Sequence, residues 1–94
     1  MKTENPEIMQ AYKNAFGTTL KMFRAEHNLL QKQLTGKSKL HESDICDIEH
    51  GRHNIEFETF VNLVIENNIE LITFVERFNQ ILLKELAKIN NKED

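Results

Sequence analysis

Apolar residues recur at spacings of three or four along most of this chain, which is the period of an amphipathic α-helix. The first such stretch carries Ile8, Tyr12, Phe16, Leu20 and Phe23. Pro6 follows Asn5 as a first-turn proline follows a capping asparagine, so we expect one long helix from Pro6 to about His27. A frayed N-terminal arm is the alternative. Gly17 costs this helix about 1 kcal/mol relative to alanine and therefore indicates a bend or a close packing contact.

The middle of the chain predicts two short helices joined by a tight connection. The first covers Gln31 to Ser38, and the second, after Lys39-Leu40, directs Ile45 and Ile48 inward. Gly51 is expected to end the second helix as a residue in the left-handed conformation.

The second half of the chain predicts two more helices. One begins near Phe57 after an extended connector at Asn54-Ile55, and Asn67-Asn68 closes it. The other presents a long apolar face, whose members are Leu71, Val75, Phe78, Leu82, Leu86 and Ile89. Residues 91–94 are expected to be a disordered tail.

Composition limits the chain to a single small domain. Its 94 residues, of which 39% are hydrophobic, suffice for one modest core. It has neither an apolar run that could cross a bilayer nor an export signal at Met1, which favours a cytoplasmic protein. Cys46 is the single cysteine and cannot form an internal disulfide, so stability must come from helix packing or a partner subunit.

Charge is distributed unevenly around the predicted tight connection. The formal net charge is -3, although nucleic-acid-binding domains usually carry a basic excess. Three lysines precede Leu40, whereas the next ten residues carry only acidic charges: Glu42, Asp44, Asp47 and Glu49. The sum of charges therefore argues against a nucleic-acid ligand, while the cluster of lysines 32, 37 and 39 argues for one.

Residues from Phe16 to Phe74 resemble the Cro and lambda-repressor family of helix-turn-helix proteins, also called the XRE family. The resemblance rests on FGTTLKMFR, LLQKQLTGKSKLHESDICDIEHGRHN and FETFVNLVIENNIELITF. It covers about two thirds of the chain and includes an ordered set of positions: Gln31, Leu34, Ser38, Leu40, Ile45, Ile48, Glu49, Gly51, Asn54, Glu58 and Thr59. It implies an all-α, five-helix lambda-repressor-like domain and a DNA-binding transcriptional regulator, either a repressor or an autoregulator.

The resemblance also implies a role for individual residues. The second short helix would enter the major groove and turn Glu42, Ser43 and Asp47 toward base edges. Arg24 and Glu49 match a pair that ties the first helix to the third. Contacts with the DNA backbone fall to Gln31, Lys39, His41, Asp44, Arg52, His53 and Asn54.

Some matched positions depart from the family pattern. Leu30 stands where a serine or threonine would cap the first short helix, and Lys39 stands where a left-handed glycine makes the turn. Carboxylates at Glu42, Asp44 and Asp47 would be repelled by phosphates, although they can accept a hydrogen bond from cytosine. The alternative role for Glu42 and Asp44 is to stabilise the N-terminus of their own helix.

These departures support a second hypothesis, in which the helix-turn-helix fold serves as an antirepressor-like protein interaction module. Its protein partner would bind the acidic helix at 42–49. Cys46, His50 and His53 have a spacing that metal ligands sometimes show, but a structural zinc site usually needs four ligands, so no metal or other cofactor is predicted. Neither a nucleophile with its base nor a phosphate-binding glycine loop is found, and the chain is not expected to be an enzyme.

The last helix predicts homodimerisation. Its apolar face from Leu71 to Ile89 exceeds what the core needs, and a second copy would cover it, although packing against the first and fourth helices is the alternative. A two-fold dimer would place two helices about 34 to 36 Å apart on a pseudo-palindromic operator. The predicted organisation is a helix extension at 1–15, a helix-turn-helix domain at 16–75, a dimerisation helix at 71–90 and the tail at 91–94.

Overall fold

The first helix, α1 (Pro6–Glu26), begins where the sequence predicts. The side-chain Oδ1 of Asn5 accepts a hydrogen bond from the backbone N–H of Glu7 at 2.9 Å, and Pro6 occupies the first turn. The computed structural model describes residues 5–35 and 40–92. The predicted long helix is confirmed, and the alternative of a frayed arm is wrong for residues 6–15.

Four further elements follow α1, and every element within the described ranges is helical. They are a 3₁₀ helix (Gln31–Leu34), α2 (Glu42–Glu49), α3 (Phe57–Glu66) and α4 (Leu71–Lys92). The first of the two predicted short helices is a single 3₁₀ turn over its described part, so a count of five α-helices is not confirmed. The end of that predicted helix, Gly36 to Ser38, and Lys39 of the predicted connection lie outside the described residues.

Three helices end in the same hydrogen-bonded motif. Asn28, Gly51 and Asn68 have φ values of 55°, 73° and 55° and lie in the left-handed region that follows many helix C-termini. The next residue in each case donates its N–H to the carbonyl oxygen five positions earlier, at 2.8 to 3.0 Å. This ending is the Schellman motif. It confirms that the helices stop at Gly51 and at Asn67-Asn68, as predicted.

The core consists of two hydrophobic clusters on either side of Phe78. The first joins α1, the 3₁₀ helix, α2, α3 and α4 through seven buried side chains: Leu20, Phe23, Leu34, Ile45, Ile48, Leu63 and Phe74. The second joins the N-terminal half of α1 to the C-terminal half of α4 through Ala11, Ala15 and Leu82. Small alanines on α1 allow the two long helices to approach closely along this second cluster.

This second cluster corrects the predicted dimer interface. Leu82 is only 6% exposed because it packs against Ala11 and Ala15 of its own chain, so it is not available to a partner. Phe78, Leu86 and Ile89 are half-buried against the same cluster. Leu71 and Val75 do remain exposed. The prediction is therefore wrong for Leu82, because the extension of α1 covers most of the apolar strip.

The C-terminal helix is longer than the sequence indicates. We expected residues 91–94 to be disordered, but α4 continues through Asn91 and Lys92.

No helix in residues 5–35 or 40–92 combines the length and the apolar character that crossing a bilayer requires.

Candidate nucleic-acid interface

One side of α2 is fixed to the core and the opposite side faces solvent. Ile45 and Ile48 are buried, as predicted, whereas Glu42 and Ser43 are exposed. Asp47 is half-buried. Two of the three residues that we expected to face DNA bases are thus exposed, and the third is half-buried.

Gly17 on α1 allows the C-terminal end of α2 to approach closely. A Cβ atom at this position would collide with the main-chain oxygen of Ile48 and would lie 2.9 Å from the carbonyl carbon of Glu49. The glycine therefore marks the close packing contact that was one of its two predicted roles. The backbones of α1 and α2 meet at this contact, which fixes the distance between the two helices at the C-terminal end of α2.

A bidentate ion pair holds α2 from a second direction. The Nε of Arg24 donates to Oε2 of Glu49 at 2.6 Å, and its second terminal nitrogen donates to Oε1 at 3.0 Å. The side chain of Glu49 is only 1% exposed, and the hydrogen bond to this carboxylate raises the pKa of Arg24 above its ordinary value. Arg24 also donates to the carbonyl oxygen of Leu29 at 3.0 Å, so the expected Arg24–Glu49 pair fixes α1, α2 and the segment between them.

Gln31 belongs to the same buried network. Its side-chain Nε2 donates to Oε1 of Glu49 at 3.0 Å, and the residue is half-buried. We expected this side chain to contact a phosphate from an exposed helix start. In the structure its amide instead helps to satisfy a buried carboxylate, so a phosphate contact would require this hydrogen bond to break.

The acidic residues at the start of α2 stabilise the helix itself. The backbone N–H of His41 donates to Oδ2 of Asp44 at 2.8 Å, which satisfies a group at the helix N-terminus. Glu42 and Asp44 both lie in the first turn, where the helix dipole favours negative charge. Asp44 therefore takes the alternative role that the sequence left open, while the His41 side chain remains exposed.

The segment after α2 is anchored by the N-terminal half of α1. Nε2 of Gln10 donates to the carbonyl oxygen of Gly51 at 2.7 Å and to Oδ1 of Asn14 at 2.9 Å. These two polar residues were not singled out from the sequence. The only signal in the sequence is that Gln10 and Asn14 are four positions apart, which places them on one face of α1, shortly before Gly17.

Arg52, His53 and Asn54 follow this anchor, and they differ in accessibility. Arg52 is 59% exposed, and its guanidinium contacts Oδ1 of Asp47 at 3.2 Å. Asn54 is exposed, whereas His53 is half-buried beside α1. Lys39 lies outside the described residues.

The surface around α2 carries both signs of charge in close proximity. Glu42 shares a shallow depression with Arg24, Leu30, Gln31 and Lys32. Lys32 is exposed there, whereas Arg24 and Arg52 each already contact a carboxylate. Among the described residues of this region, a phosphate would therefore meet the exposed Lys32. It would contact Arg52 only after displacing the Asp47 carboxylate from the guanidinium group.

Cys46 and His50 lie one turn apart on α2. The Sγ of Cys46 is 3.6 Å from Nδ1 of His50, and the same ring nitrogen lies 2.8 Å from the carbonyl oxygen of Cys46. Over the described ranges, these two residues do not join a third metal-binding side chain.

Comparison with known proteins finds no matching protein family, no similar characterised protein and no similar solved structure.

Proposed function

We propose that this protein is a sequence-specific DNA-binding regulator of the helix-turn-helix class, with α2 as its recognition helix. The observation that carries the proposal is the rigid seating of α2 by Gly17 and the Arg24–Glu49 pair, with Glu42 and Ser43 turned outward. An α-helix with its side chains is about 10 to 12 Å across, which fits the width of the major groove, and the eight residues of α2 make it about 12 Å long. A rigid mount is what a helix needs if it is to present side chains to base edges in a fixed register.

In this proposal some residues on and around α2 contact DNA bases and others contact the DNA backbone. Ser43 can donate to or accept from either base pair, and the carboxylates of Glu42 and Asp47 can accept from cytosine N4. Arg52, Lys32 and the His41 side chain lie at the border of α2 and would contact phosphates. Because few cations are available, affinity should fall only modestly with salt.

We also propose that the domain has the lambda-repressor-like fold, that it acts in the cytoplasm and that it forms a homodimer. With Leu82 buried, the partner must use apolar residues that α1 leaves uncovered. Ile72 and Leu83 are 66% and 59% exposed and lie about three turns apart on one side of α4, with Leu71 exposed nearby. A two-fold contact through this side would give the pseudo-palindromic operator expected of paired recognition helices.

A protein interaction module is the second candidate, and the pairing of charges favours it. Asp47 holds Arg52, Glu49 holds Arg24, and Glu42 remains as an exposed acid at the start of α2. A basic partner would bind such a surface without the phosphate repulsion that DNA encounters.

Selection of duplexes from a random-sequence pool at low salt tests the DNA proposal. We expect the wild-type protein to enrich one pseudo-palindromic motif and S43R to change that motif. The matched control is Q80R, which adds the same charge at an exposed position of α4 and should recover the wild-type motif. Failure to enrich any motif, or an unchanged motif with S43R, would refute base recognition by α2.

The second candidate is tested separately by affinity capture. It predicts a stoichiometric protein partner that is lost with E42K/D47K and kept with E66K, where Glu66 is an exposed acid at the end of α3. Capture of DNA-binding activity alone would count against it.

A further inference from the structure

A cleft runs between α1, α4 and the segment 52–56 that joins α2 to α3. Two adjacent cavities of about 320 and 190 Å³ form it, and they share the walls Phe16, Ile55 and Phe78. Five of the six phenylalanines in the chain line the larger cavity, which we call the apolar end. The smaller cavity, the polar end, is completed by Met9, Tyr12, Lys13, His53 and Asn54.

The apolar end offers one aromatic ring, that of Phe57, which the chain leaves uncovered. Phe57 is 78% exposed, with its ring centroid 6.4 Å from that of Phe60, and Val75, which α4 contributes to the same cavity, is 45% exposed. The other rings already meet at angles and distances suited to aromatic packing, such as Phe16 and Phe60 at 5.3 Å. A ligand with an apolar or aromatic body would therefore gain favourable burial at this end.

The polar end carries Lys13, whose positive charge contacts no carboxylate of residues 5–35 and 40–92. Three basic side chains are half-buried among those whose exposure is described: Lys13, Arg24 and Arg77. Arg24 pairs with Glu49 and Arg77 with Glu26, whereas Lys13 contacts no carboxylate in the described part of the chain. An anion bound beside the ammonium group of Lys13 would give it the kind of ion pair that Arg24 and Arg77 already have.

His53 supplies a second nitrogen at the same end of the cleft. Its ring is half-buried against α1, and within residues 5–35 and 40–92 it forms no side-chain hydrogen bond. Together the two residues provide an ammonium and an imidazole donor next to an apolar cavity. This combination fits an amphipathic anion. An apolar segment of a second chain would leave Lys13 buried and unpaired.

We propose that this cleft is an effector site for a small monocarboxylic acid with an aromatic or short alkyl body. The body occupies the apolar end between Phe57 and Val75. The carboxylate accepts hydrogen bonds from Nζ of Lys13 and from the imidazole of His53.

The effect on DNA binding, which rests on the proposed function, follows from the position of His53. This residue comes directly after Arg52 in the segment expected to contact the DNA backbone. A bound carboxylate would hold the His53 ring in the cleft and add a negative charge beside that segment. Occupancy therefore weakens binding to DNA.

Ligand binding is tested without DNA, by amide NMR titration of the full chain with 4-phenylbutyrate. We expect the shifts to centre on Ile55 and Phe78, and we expect 4-phenylbutan-1-ol and 4-phenylbutylamine to bind more weakly. K13Q should raise the Kd of the acid about three- to fivefold, whereas the control K21Q, at an exposed lysine of the same helix, should leave it unchanged. V75W, which fills the apolar end from an exposed position, should abolish the shifts.

Three results would overturn this site. Equal affinity for the acid and the alcohol would show that no anion is selected, and unchanged binding by V75W would place the ligand elsewhere. Cleft signals that change with protein concentration but not with the acid would show that a second copy occupies it. If the acid binds as expected but leaves the affinity for a selected operator unchanged, the coupling to DNA is wrong while the site stands.

Discussion

The α-carbon of Gly17 faces the main-chain carbonyl of Ile48 so closely that no side chain fits between them. Helix α1 thereby supports the last turn of α2 through direct backbone contact, in addition to the Arg24–Glu49 pair. In an ordinary helix interior, replacing glycine by alanine stabilises a protein by about 0.5 to 1 kcal/mol. The contact with α2 should reverse that sign.

We therefore expect G17A to lower the free energy of unfolding by about 1 to 3 kcal/mol, as overpacked core substitutions do. Urea unfolding followed by circular dichroism measures this change. T18A, at the neighbouring exposed position of the same helix, should stay within about 0.5 kcal/mol of the wild type. A G17A protein more stable than the wild type would show that α2 is not seated against α1 at this point.

The Arg24–Glu49 pair should be strongly coupled. R24M leaves the carboxylate of Glu49 buried with Gln31 as its main remaining partner and should cost about 3 to 5 kcal/mol. The double variant R24M/E49L removes both charges and should cost clearly less than the sum of R24M and E49L, measured as a double-mutant cycle in urea. Additive costs would mean that the two side chains act independently.

The same pair predicts how stability depends on pH. The folded-state pKa of Arg24 is raised by its hydrogen bond to Glu49, so its contribution is present at all pH values below the ordinary pKa of arginine. It is lost only as the pH rises through the still higher folded value. The difference in stability between wild type and the double variant R24M/E49L, which leaves no unpaired carboxylate, should therefore stay constant between about pH 6 and pH 9. A difference that shrinks with rising pH in this range would contradict the assignment.

Adjacent leucines on α4 provide a matched pair for the corrected interface. Leu82 is buried against Ala11 and Ala15, whereas Leu83 is 59% exposed. L82A should cost about 2 to 5 kcal/mol at every protein concentration, because the lost contacts are within one chain. L83A should barely change the stability of the monomer but should weaken a dimer in sedimentation equilibrium. A concentration-dependent effect of L82A would restore this residue to the interface.

Gly51 should be intolerant of alanine for two separable reasons. Its φ of 73° disfavours a side chain, and a Cβ atom would collide with Oδ1 of Asn14. We expect G51A to remain destabilising by about 1 to 2 kcal/mol even in an N14A background, which removes that collision but leaves the backbone cost and a 3.1 Å approach to Nε2 of Gln10. Full rescue by N14A, measured by thermal unfolding, would show that the left-handed conformation costs nothing there.

Local signals in the sequence predicted the helix starts and stops well. Asn5-Pro6, Gly51 and Asn67-Asn68 each act through their own backbone conformation or through a hydrogen bond to a residue close by in the sequence, neither of which depends on distant parts of the chain. The inward face of α2 was equally clear, because Ile45 and Ile48 share one side of a short helix.

Features that depend on distant partners were not predictable in the same way. Periodicity identified Leu82 as apolar but could not tell whether α1 or a second chain covers it. The hydrogen bond from Gln31 to Glu49 joins residues 18 positions apart, and the one from Gln10 to Gly51 joins residues 41 apart. A helical pattern contains no information about such contacts, since it records only which side of each helix is apolar.

The most direct measurement of the proposed function is an amide NMR titration of the protein with its selected operator duplex. We expect the largest amide shift changes at Glu42, Ser43, Asp47 and Arg52. The signals of Ile72 and Leu83 should stay close to their positions in the dimer without DNA. Shifts confined to α3 and α4, with α2 unperturbed, would contradict the proposal that α2 is the recognition helix.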